Sequence, residues 1–203
     1  MNIDDKFRPL TTEDLQRSKI GARYWTVSLG SIPDEYAHKQ KVGKWIEKID
    51  QFIKNGVGIH LYGESGSGLT SLGCICAKAA LSAGYTSLYM TSFALRRVVS
   101  EKPEFDDFSD MYTRVRTVDL LVIDDAERGQ DNIWGKIALE EIIKSRLSHK
   151  KAFIFITKCN PTSIAAFFGV DIAGALKEAC IPIECALINW RDKIAEDLKK
   201  QIE

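Results

Sequence analysis

The sequence has 203 residues, of which 45% are hydrophobic and 28% charged, a composition typical of folded globular proteins and not of disordered ones. This length predicts one domain, or one domain with a short extension, that buries a core without disulfides or structural metal. Lysine plus arginine and aspartate plus glutamate number 28 each, so the net charge is zero. The balance excludes a protein held to nucleic acid or a membrane by its overall charge.

The cysteines form no C-x-x-C pair and no spacing that suits zinc. Because their neighbours are apolar, we interpret them as small buried hydrophobic residues in a reducing compartment: Cys74, Cys76, Cys159, Cys180 and Cys185. Residues Met1–Leu10 lack the apolar segment of a secretory signal. No apolar run approaches the roughly 20 residues of a transmembrane helix. These features predict a cytoplasmic protein without membrane contact.

Residues 1–55 are predicted to form an N-terminal helical extension that packs on a second unit, residues 56–203. Two helices are expected in the extension, Thr11–Ser18 and Ala37–Lys54. Apolar residues of the second helix recur at i, i+3, i+4 and i+7 spacing, which creates an apolar stripe that another element must cover.

From residue 57 onward, short apolar segments alternate with segments of helical length. The predicted strands are Val57–Tyr62, Ser87–Met90, Val118–Ile123, Ala152–Thr157 and Ile181–Glu184. The predicted helices are Thr70–Ala83, Ser92–Ser100, Ile133–His149, a stretch ending at Ala179, and Trp190–Ile202, with a short helical insertion between Lys102 and Arg116. This alternation predicts a three-layer α/β fold with a central parallel sheet.

The first predicted strand leads into a glycine-rich loop and then a helix. The loop reads Gly63-Glu64-Ser65-Gly66-Ser67-Gly68-Leu69-Thr70, the phosphate-loop pattern G-x-x-x-x-G-K-[ST] with leucine in the lysine position. Glycines allow backbone amides to surround a phosphate, and the helix N-terminus attracts its charge. Losing the lysine is expected to weaken nucleotide binding by about 10- to 100-fold. The alternative is a glycine-rich turn that binds nothing.

The third predicted strand ends in two carboxylates, Asp124 and Asp125. A carboxylate at the end of a buried strand beside a phosphate loop holds magnesium-bound water, so Asp124 and Thr70 are the predicted Mg²⁺ ligands. Asp125 or Glu127 is expected to orient or deprotonate the attacking water. The alternative is that the two aspartates cap a helix N-terminus. The two motifs together predict a site for ATP and Mg²⁺.

The phosphate loop, the segment Asp119–Asp125 and the later strand Phe153–Thr157 resemble the AAA+ ATPase domain of bacterial and phage replicative helicase loaders. The transposition helper ATPases of insertion sequences share these features. The segments Phe7–Leu10 and Asn189–Arg191 are also similar to loader sequences. The resemblance covers roughly residues 20–195. It implies a P-loop AAA+ domain, ring or spiral assembly, and ATP-dependent placement of a hexameric helicase on single-stranded DNA.

The sequence differs from this family at positions that support hydrolysis. The sensor strand ends Thr157-Lys158-Cys159-Asn160, which leaves Cys159 and Asn160 both open as the sensor residue. No arginine occurs between Cys159 and Trp190, where the family has its arginine finger. Lys177 is the nearest cation, and Arg146 or a partner subunit is the remaining source. We therefore expect weak or partner-dependent hydrolysis.

Lys158 is expected to replace part of the missing loop charge, because it ends a strand that lies beside the phosphate loop in this fold. The alternative is an ordinary surface lysine. The four tryptophans are interpreted as core residues, with Trp25 assigned by the resemblance to the border of the adenine pocket; the others are Trp45, Trp134 and Trp190.

Basic residues flank the segment between the second and third strands. In related initiators and loaders this insertion follows a DNA backbone, so the resemblance implies phosphate contacts with single-stranded DNA for Arg96, Arg97, Lys102, Arg114 and Arg116. A solvated surface is the competing interpretation, since five acidic residues lie in the same segment: Glu101, Glu104, Asp106, Asp107 and Asp110.

Together these features predict an ATP-binding AAA+ protein that helps load a replicative helicase onto single-stranded DNA. The expected partner is a helicase or another replication or transposition protein, in a homo- or hetero-oligomer. Two alternatives remain open: a non-hydrolysing adaptor with the same fold, and a transposition helper ATPase. A small-molecule kinase is disfavoured, because the sequence lacks an arginine-rich lid.

Overall fold

A computed structural model describes residues 7–100, 106–128, 133–185 and 189–200. The strands are β1 (Gly58–Tyr62), β2 (Ser87–Thr91), β3 (Leu120–Asp124), β4 (Ala152–Thr157) and β5 (Cys180–Glu184). The helices are α1 (Thr12–Arg17), α2 (Ala37–Glu47), α3 (Ile49–Lys54), α4 (Leu69–Ser82), α5 (Ser92–Ser100), α6 (Asp106–Thr117), α7 (Ile133–Ser148), α8 (Ile164–Phe168), α9 (Val170–Ala179) and α10 (Trp190–Lys200). Two short 3₁₀ helices, Ala22–Tyr24 and Leu29–Ser31, lie between α1 and α2.

The strands form one parallel sheet in the order β2-β3-β4-β1-β5. Strand β4 lies between β1 and β3, the two strands that carry the predicted nucleotide motifs. Because all strands run in the same direction, their carboxyl ends meet at one edge of the sheet. The predicted three-layer α/β architecture is therefore confirmed. Within the described residues, no helix is both long enough and apolar enough to cross a membrane.

The two faces of the sheet support separate apolar cores. Alternate residues of β4 show the division: Ile154 and Ile156 pack in the core under α2, α3 and α4, whereas Phe153 and Phe155 pack under α5, α7 and α9. The apolar side chains of the N-terminal segment, including the fully covered Trp45, belong to the first of these cores. The predicted apolar stripe of this segment is thus covered by the sheet and α4.

Some elements differ in extent from the predictions. The predicted helix Ala37–Lys54 is two helices, because Lys48 leaves helical geometry at φ −101° and ψ 19°. The stretch ending at Ala179 is likewise divided at Gly169, whose φ is +96°. The insertion before β3 contains a helix of 12 residues, α6, and is longer than the short excursion expected.

Arg146 lies at the amino-terminal edge of the sheet, on the side opposite the phosphate loop. Its guanidinium is fully buried and donates hydrogen bonds to the carbonyl oxygens of Val115 (2.9 Å), Val118 (2.8 Å) and Ala152 (2.6 Å). Burial lowers the pKa of Arg146 to about 9. The expectation that Arg146 supplies the missing catalytic arginine is wrong, since its charge is used to cap backbone carbonyls.

The cysteines are free thiols. Four are buried and Cys159 is half-buried. Burial raises the pKa of Cys74 and of Cys185 to about 12, so their thiols stay protonated at neutral pH. This state agrees with their interpretation as small buried hydrophobic residues and not as nucleophiles.

Candidate nucleotide-binding site

The phosphate loop connects β1 to the first turn of α4. Gly66 and Gly68 have φ values of +93° and +87°, a left-handed conformation that residues with a Cβ rarely adopt. The buried Ser67 hydroxyl donates to the carbonyl of Glu64 at 2.7 Å and fixes the turn. Residues 64–70 line a cavity of about 500 Å³, whereas Gly63 lies outside its lining.

Helix α10 begins directly on this loop. The amide of Trp190 donates to the carbonyl of Gly66 at 2.9 Å, and Asn189 Oδ1 accepts a bond from the Arg191 amide at 3.1 Å. A Cβ on Gly66 would lie 2.3 Å from Asn189 Oδ1. Because α10 begins on the loop, Arg191 is one of the residues that line the cavity. Sequence reasoning did not assign Arg191 to the site, although Asn189–Arg191 carried part of the family resemblance.

The predicted metal ligands are neighbours. The Thr70 hydroxyl donates to Asp124 Oδ2 at 2.8 Å, which joins the start of α4 to the end of β3. The Tyr89 hydroxyl donates to the same oxygen at 2.5 Å, and the amide of Asp125 donates to Asp124 Oδ1 at 2.8 Å. Asp124 is buried. Tyr89 was not predicted as a site residue; a tyrosine within an apolar strand is the signal that points to it.

The predicted water-activating carboxylates also lie in the cavity wall. Asp125 has a left-handed φ of +53°, and its carboxylate is 3.5 Å from the guanidinium of Arg128. Glu127 accepts hydrogen bonds from the Thr157 hydroxyl at 2.6 Å and from the Lys158 amide. The Glu127 carboxylate is therefore held by the end of β4.

The end of β4 contributes Thr157 and Lys158 to the cavity. Asn160 does not line it, because its side-chain oxygen accepts bonds from the Thr162 hydroxyl (2.7 Å) and the Ser163 amide (3.0 Å) at the turn before α8. Cys159 is also absent from the lining. Neither of the two residues left open for the sensor role therefore lines the cavity, whereas Thr157 and Lys158 do.

The opposite wall comes from the N-terminal segment and includes Arg23, Tyr24, Val27, Ile32 and His38. Lys78 of α4 holds this segment in place, because its ammonium donates to the carbonyls of Tyr24 (2.7 Å), Trp25 (3.0 Å) and Val27. The Trp25 indole donates to the carbonyl of Ile20 at 2.8 Å and does not line the cavity. Tyr24, and not Trp25, therefore lines this wall of the cavity.

The basic residues proposed to contact DNA fall into two groups. Arg114 donates to the carbonyl of Arg17 at 2.7 Å, and Arg116 donates to Ser145 Oγ (3.1 Å) and the Tyr112 hydroxyl (2.8 Å). These two arginines are engaged in contacts between helices. Arg96 lies 5.0 Å from the ring centre of the exposed Phe93 on α5, and Arg97 on the same helix is exposed. Lys102 lies outside the described residues.

No family model matches the sequence, and no curated protein matches it. Solved structures do share its fold. One is the DnaC helicase loader, with a TM-score of 0.68 and 18% identity over 82% of this chain and 100% of the loader. Another is DnaI, with a TM-score of 0.71 and 16% identity over 82% of this chain and 95% of DnaI.

The replication initiator DnaA bound to AMPPCP and single-stranded DNA is also similar, with a TM-score of 0.67 and 19% identity over 90% of this chain. The match covers 56% of that initiator, and 55% of a second DNA replication initiation factor, so the chain spans little more than half of these proteins. At these identities the likeness concerns the fold. The chain shares the fold of these replication initiators and helicase loaders.

Proposed function

We propose that this chain binds ATP with Mg²⁺ and helps load a replicative helicase onto single-stranded DNA, with hydrolysis that is slow unless a partner assists. The observation that carries the proposal is the 2.8 Å hydrogen bond between Thr70 and Asp124. It unites a phosphate loop and an acidic strand end beside a cavity of about 500 Å³, a volume in the range of ligand sites. The fold that surrounds them is shared with initiators and loaders.

The phosphates are expected to bind at the loop and at the amino end of α4, where backbone amides and the helix dipole attract negative charge. Leu69 offers no charge there, so the cations come from elsewhere. Arg191 and Lys158 both line the cavity, and each side chain is long enough to reach a phosphate from its rim. The adenine is expected against the apolar wall that includes Tyr24, Val27 and Ile32.

The donor set beside the loop suits Mg²⁺, which prefers oxygen ligands and binds through one or two carboxylates together with phosphates. The Thr70 hydroxyl and the Asp124 carboxylate would hold it. When bound, the ion would neutralise part of the phosphate charge. Among the described residues, no group of three or more histidine, cysteine, aspartate or glutamate side chains could hold a metal without such phosphate oxygens.

Hydrolysis is expected to be weak for three reasons. Leu69 cannot stabilise the charge that develops on the transferred phosphoryl group. Between Cys159 and Trp190 the chain has no arginine to offer to a neighbouring site. Glu127 is bonded to Thr157 and to the Lys158 amide, so it must exchange these donors for water before it can act as a base.

Titration calorimetry with ATP and with a non-hydrolysable analogue, both with Mg²⁺, tests the nucleotide site. We expect binding of both ligands by the wild-type chain and loss of at least about tenfold in affinity for Thr70→Ala. Thr117→Ala is the matched control, because its hydroxyl bonds to the Thr113 carbonyl on the exposed side of α6, away from the cavity lining. Absence of binding by the wild-type chain would refute the nucleotide assignment.

The loading role is tested with a replicative helicase and single-stranded DNA. We expect the chain to retain the helicase in a pull-down, and ATP to increase the fraction of helicase bound to DNA. Capture of a transposase and not of the helicase would favour the transposition helper.

The adaptor alternative is favoured by Leu69 and by the engaged Glu127. Steady-state phosphate release separates it from an ATPase. Release that stays at background with helicase and single-stranded DNA present identifies an adaptor, whereas release that rises on adding them identifies a partner-dependent ATPase.

A further inference from the structure

The Asp124 carboxylate accepts three hydrogen bonds, from α4, from β2 and from the residue that follows β3. Its Oδ2 atom accepts from the Thr70 hydroxyl at the start of α4 (2.8 Å) and from the Tyr89 hydroxyl on β2 (2.5 Å). Its Oδ1 atom accepts from the Asp125 amide (2.8 Å). An ionised carboxylate has about four acceptor sites, so three of them are occupied. The Tyr89 bond is the shortest of the three.

The pairing of β2 with β3 places the Tyr89 side chain beside the Asp124 carboxylate. In the register of β2 and β3, Tyr89 pairs with Val122, and Thr91 pairs with Asp124. Tyr89 therefore lies on the same face as Asp124, two positions earlier, and its side chain extends along the strand to the carboxylate. The ring packs against the core under α4, while the residue also lines the cavity. Packing thus fixes the hydroxyl where it meets Asp124.

The hydroxyl remains a proton donor at all physiological pH values. An ordinary tyrosine phenol has a pKa of about 10 and therefore keeps its proton at neutral pH. Since a carboxylate without protons can only accept, the proton of this bond belongs to the tyrosine. A neutral donor here competes with a cation for the lone pairs of Oδ2.

We propose that Tyr89 sets the divalent-cation requirement of the nucleotide site, because its hydroxyl occupies the Asp124 oxygen that a cation or its bound water would use. The inference rests on the proposed nucleotide binding and adds a specificity-determining residue to it. The cation joins the bound nucleotide only at concentrations at which it displaces the tyrosine. Thr70, which donates to the same oxygen, belongs to the usual metal-binding pair; Tyr89 is the additional competitor.

A hydrogen bond to a charged acceptor contributes about 1.5–3 kcal/mol, which corresponds to about 10- to 100-fold in an equilibrium constant. Replacing Tyr89 by phenylalanine keeps the ring in its packing site and removes only the competing donor. The concentration of Mg²⁺ that gives half of its effect on ATP affinity should therefore fall by at least about tenfold in Tyr89→Phe. Affinity for ATP in EDTA should change by less than about threefold.

The experiment measures ATP affinity by calorimetry over a series from EDTA to millimolar Mg²⁺, for wild type, Tyr89→Phe and a matched control. Tyr85→Phe is that control, because it removes a similar tyrosine–aspartate bond, 2.9 Å to Asp50, away from the cavity lining. Electron paramagnetic resonance of Mn²⁺ with the same proteins and ATP gives a direct second readout of bound cation.

A lowered Mg²⁺ midpoint and increased Mn²⁺ binding in Tyr89→Phe alone support the proposal. Equal midpoints for Tyr89→Phe and wild type, with ATP bound by both, overturn this inference and leave the proposed function in place. A wild-type chain that binds no ATP at any Mg²⁺ concentration overturns the proposed function and, with it, this inference.

Discussion

The amide of Trp190 donates a 2.9 Å hydrogen bond to the carbonyl of Gly66, so the last described helix begins on the phosphate loop. This bond fixes the direction of the Gly66 carbonyl and thereby orients the peptide units next to it in the loop. Asn189, the residue before Trp190, leaves no room for a side chain at Gly66, since a Cβ there would lie 2.3 Å from Asn189 Oδ1. The geometry of the loop and the placement of Arg191 therefore depend on each other.

Arg191→Ala should weaken ATP binding by about tenfold or more, because a charge-assisted contact with a phosphate would be lost. Calorimetry in Mg²⁺ measures the effect. Lys199→Ala, which removes an exposed cation from the same helix, should leave the affinity unchanged. Equal losses in both variants would mean that only the overall charge of α10 matters.

Leu69→Lys should restore the missing charge of the phosphate loop and tighten ATP binding by about 10- to 100-fold. Leu69 is half-buried against the core under α4, and the lysine stem can cover the same apolar surface while its ammonium enters the cavity. Leu198→Lys on the exposed part of α10 is the control. If phosphate release by the wild-type chain alone is brisk and Leu69→Lys does not improve it, the site has been misread.

Arg146→Met should destabilise the fold by about 3 kcal/mol or more, since it leaves the buried carbonyls that Arg146 now caps without a donor. For a chain of this size that corresponds to a melting temperature lower by about 6–12 °C. ATP affinity, measured below the transition, should not change. Arg17→Met, at an exposed position on α1, should melt like wild type.

His60 should make the fold less stable in acid. It is buried, its Nε2 lies 3.2 Å from the Cys159 carbonyl, and burial lowers the pKa of His60 from 6.5 to about 4. Between these two values the unfolded chain binds a proton that the folded chain does not, so stability is full above pH 6.5 and falls as the pH drops towards 4. The total loss is about 3 kcal/mol.

Urea unfolding at pH 7, 5.5 and 4.5 measures this loss as a difference between wild type and His60→Gln, which removes the titrating ring. The variant should show the weaker pH dependence of the two. His149→Gln, at an exposed histidine, should follow wild type. The interpretation fails if His60→Gln keeps the wild-type slope.

Replacing both Arg96 and Arg97 by glutamate should weaken retention of single-stranded DNA by an assembled complex and flatten its salt dependence. Arg116→Glu should act differently, because Arg116 donates to Ser145 of α7 and to Tyr112 of its own helix; its effect should appear in thermal unfolding. A salt series of DNA retention, with melting curves alongside, distinguishes the two. Unchanged retention for the Arg96 and Arg97 variant would exclude α5 as the DNA surface.

The strands were predictable to within two residues of their bounds, most directly β1, β3 and β4, because strands buried on both faces are almost entirely apolar. The two motifs of the site followed from the same pattern, since they lie where such strands end. The break at Lys48 was not predictable, because the apolar spacing of Val42, Trp45, Ile49 and Ile53 continues across it. A single residue that leaves helical geometry does not interrupt that spacing.

The rest of the site depends on contacts between distant segments. Arg191 enters the cavity only because α10 begins on the loop, and Tyr89 reaches Asp124 only through the register of β2 with β3. The sequence alone does not determine whether the Asn160 side chain points into the cavity or bonds within a local turn. In the structure this side chain bonds to Thr162 and Ser163 in the turn. Asparagine often forms such local hydrogen bonds at the start of a helix.

The contact of Trp190 with Gly66 also has a consequence for biosynthesis. A ribosome releases the N-terminal wall of the cavity and the phosphate loop well before it has made α10, and chains fold as their segments emerge. A ligand that binds only the native state stabilises a chain only after that chain has formed its binding site. On the proposed function, the nascent chain is therefore expected to assemble its sheet without help from nucleotide, and ligand-dependent protection against proteolysis should begin only once α10 has been made.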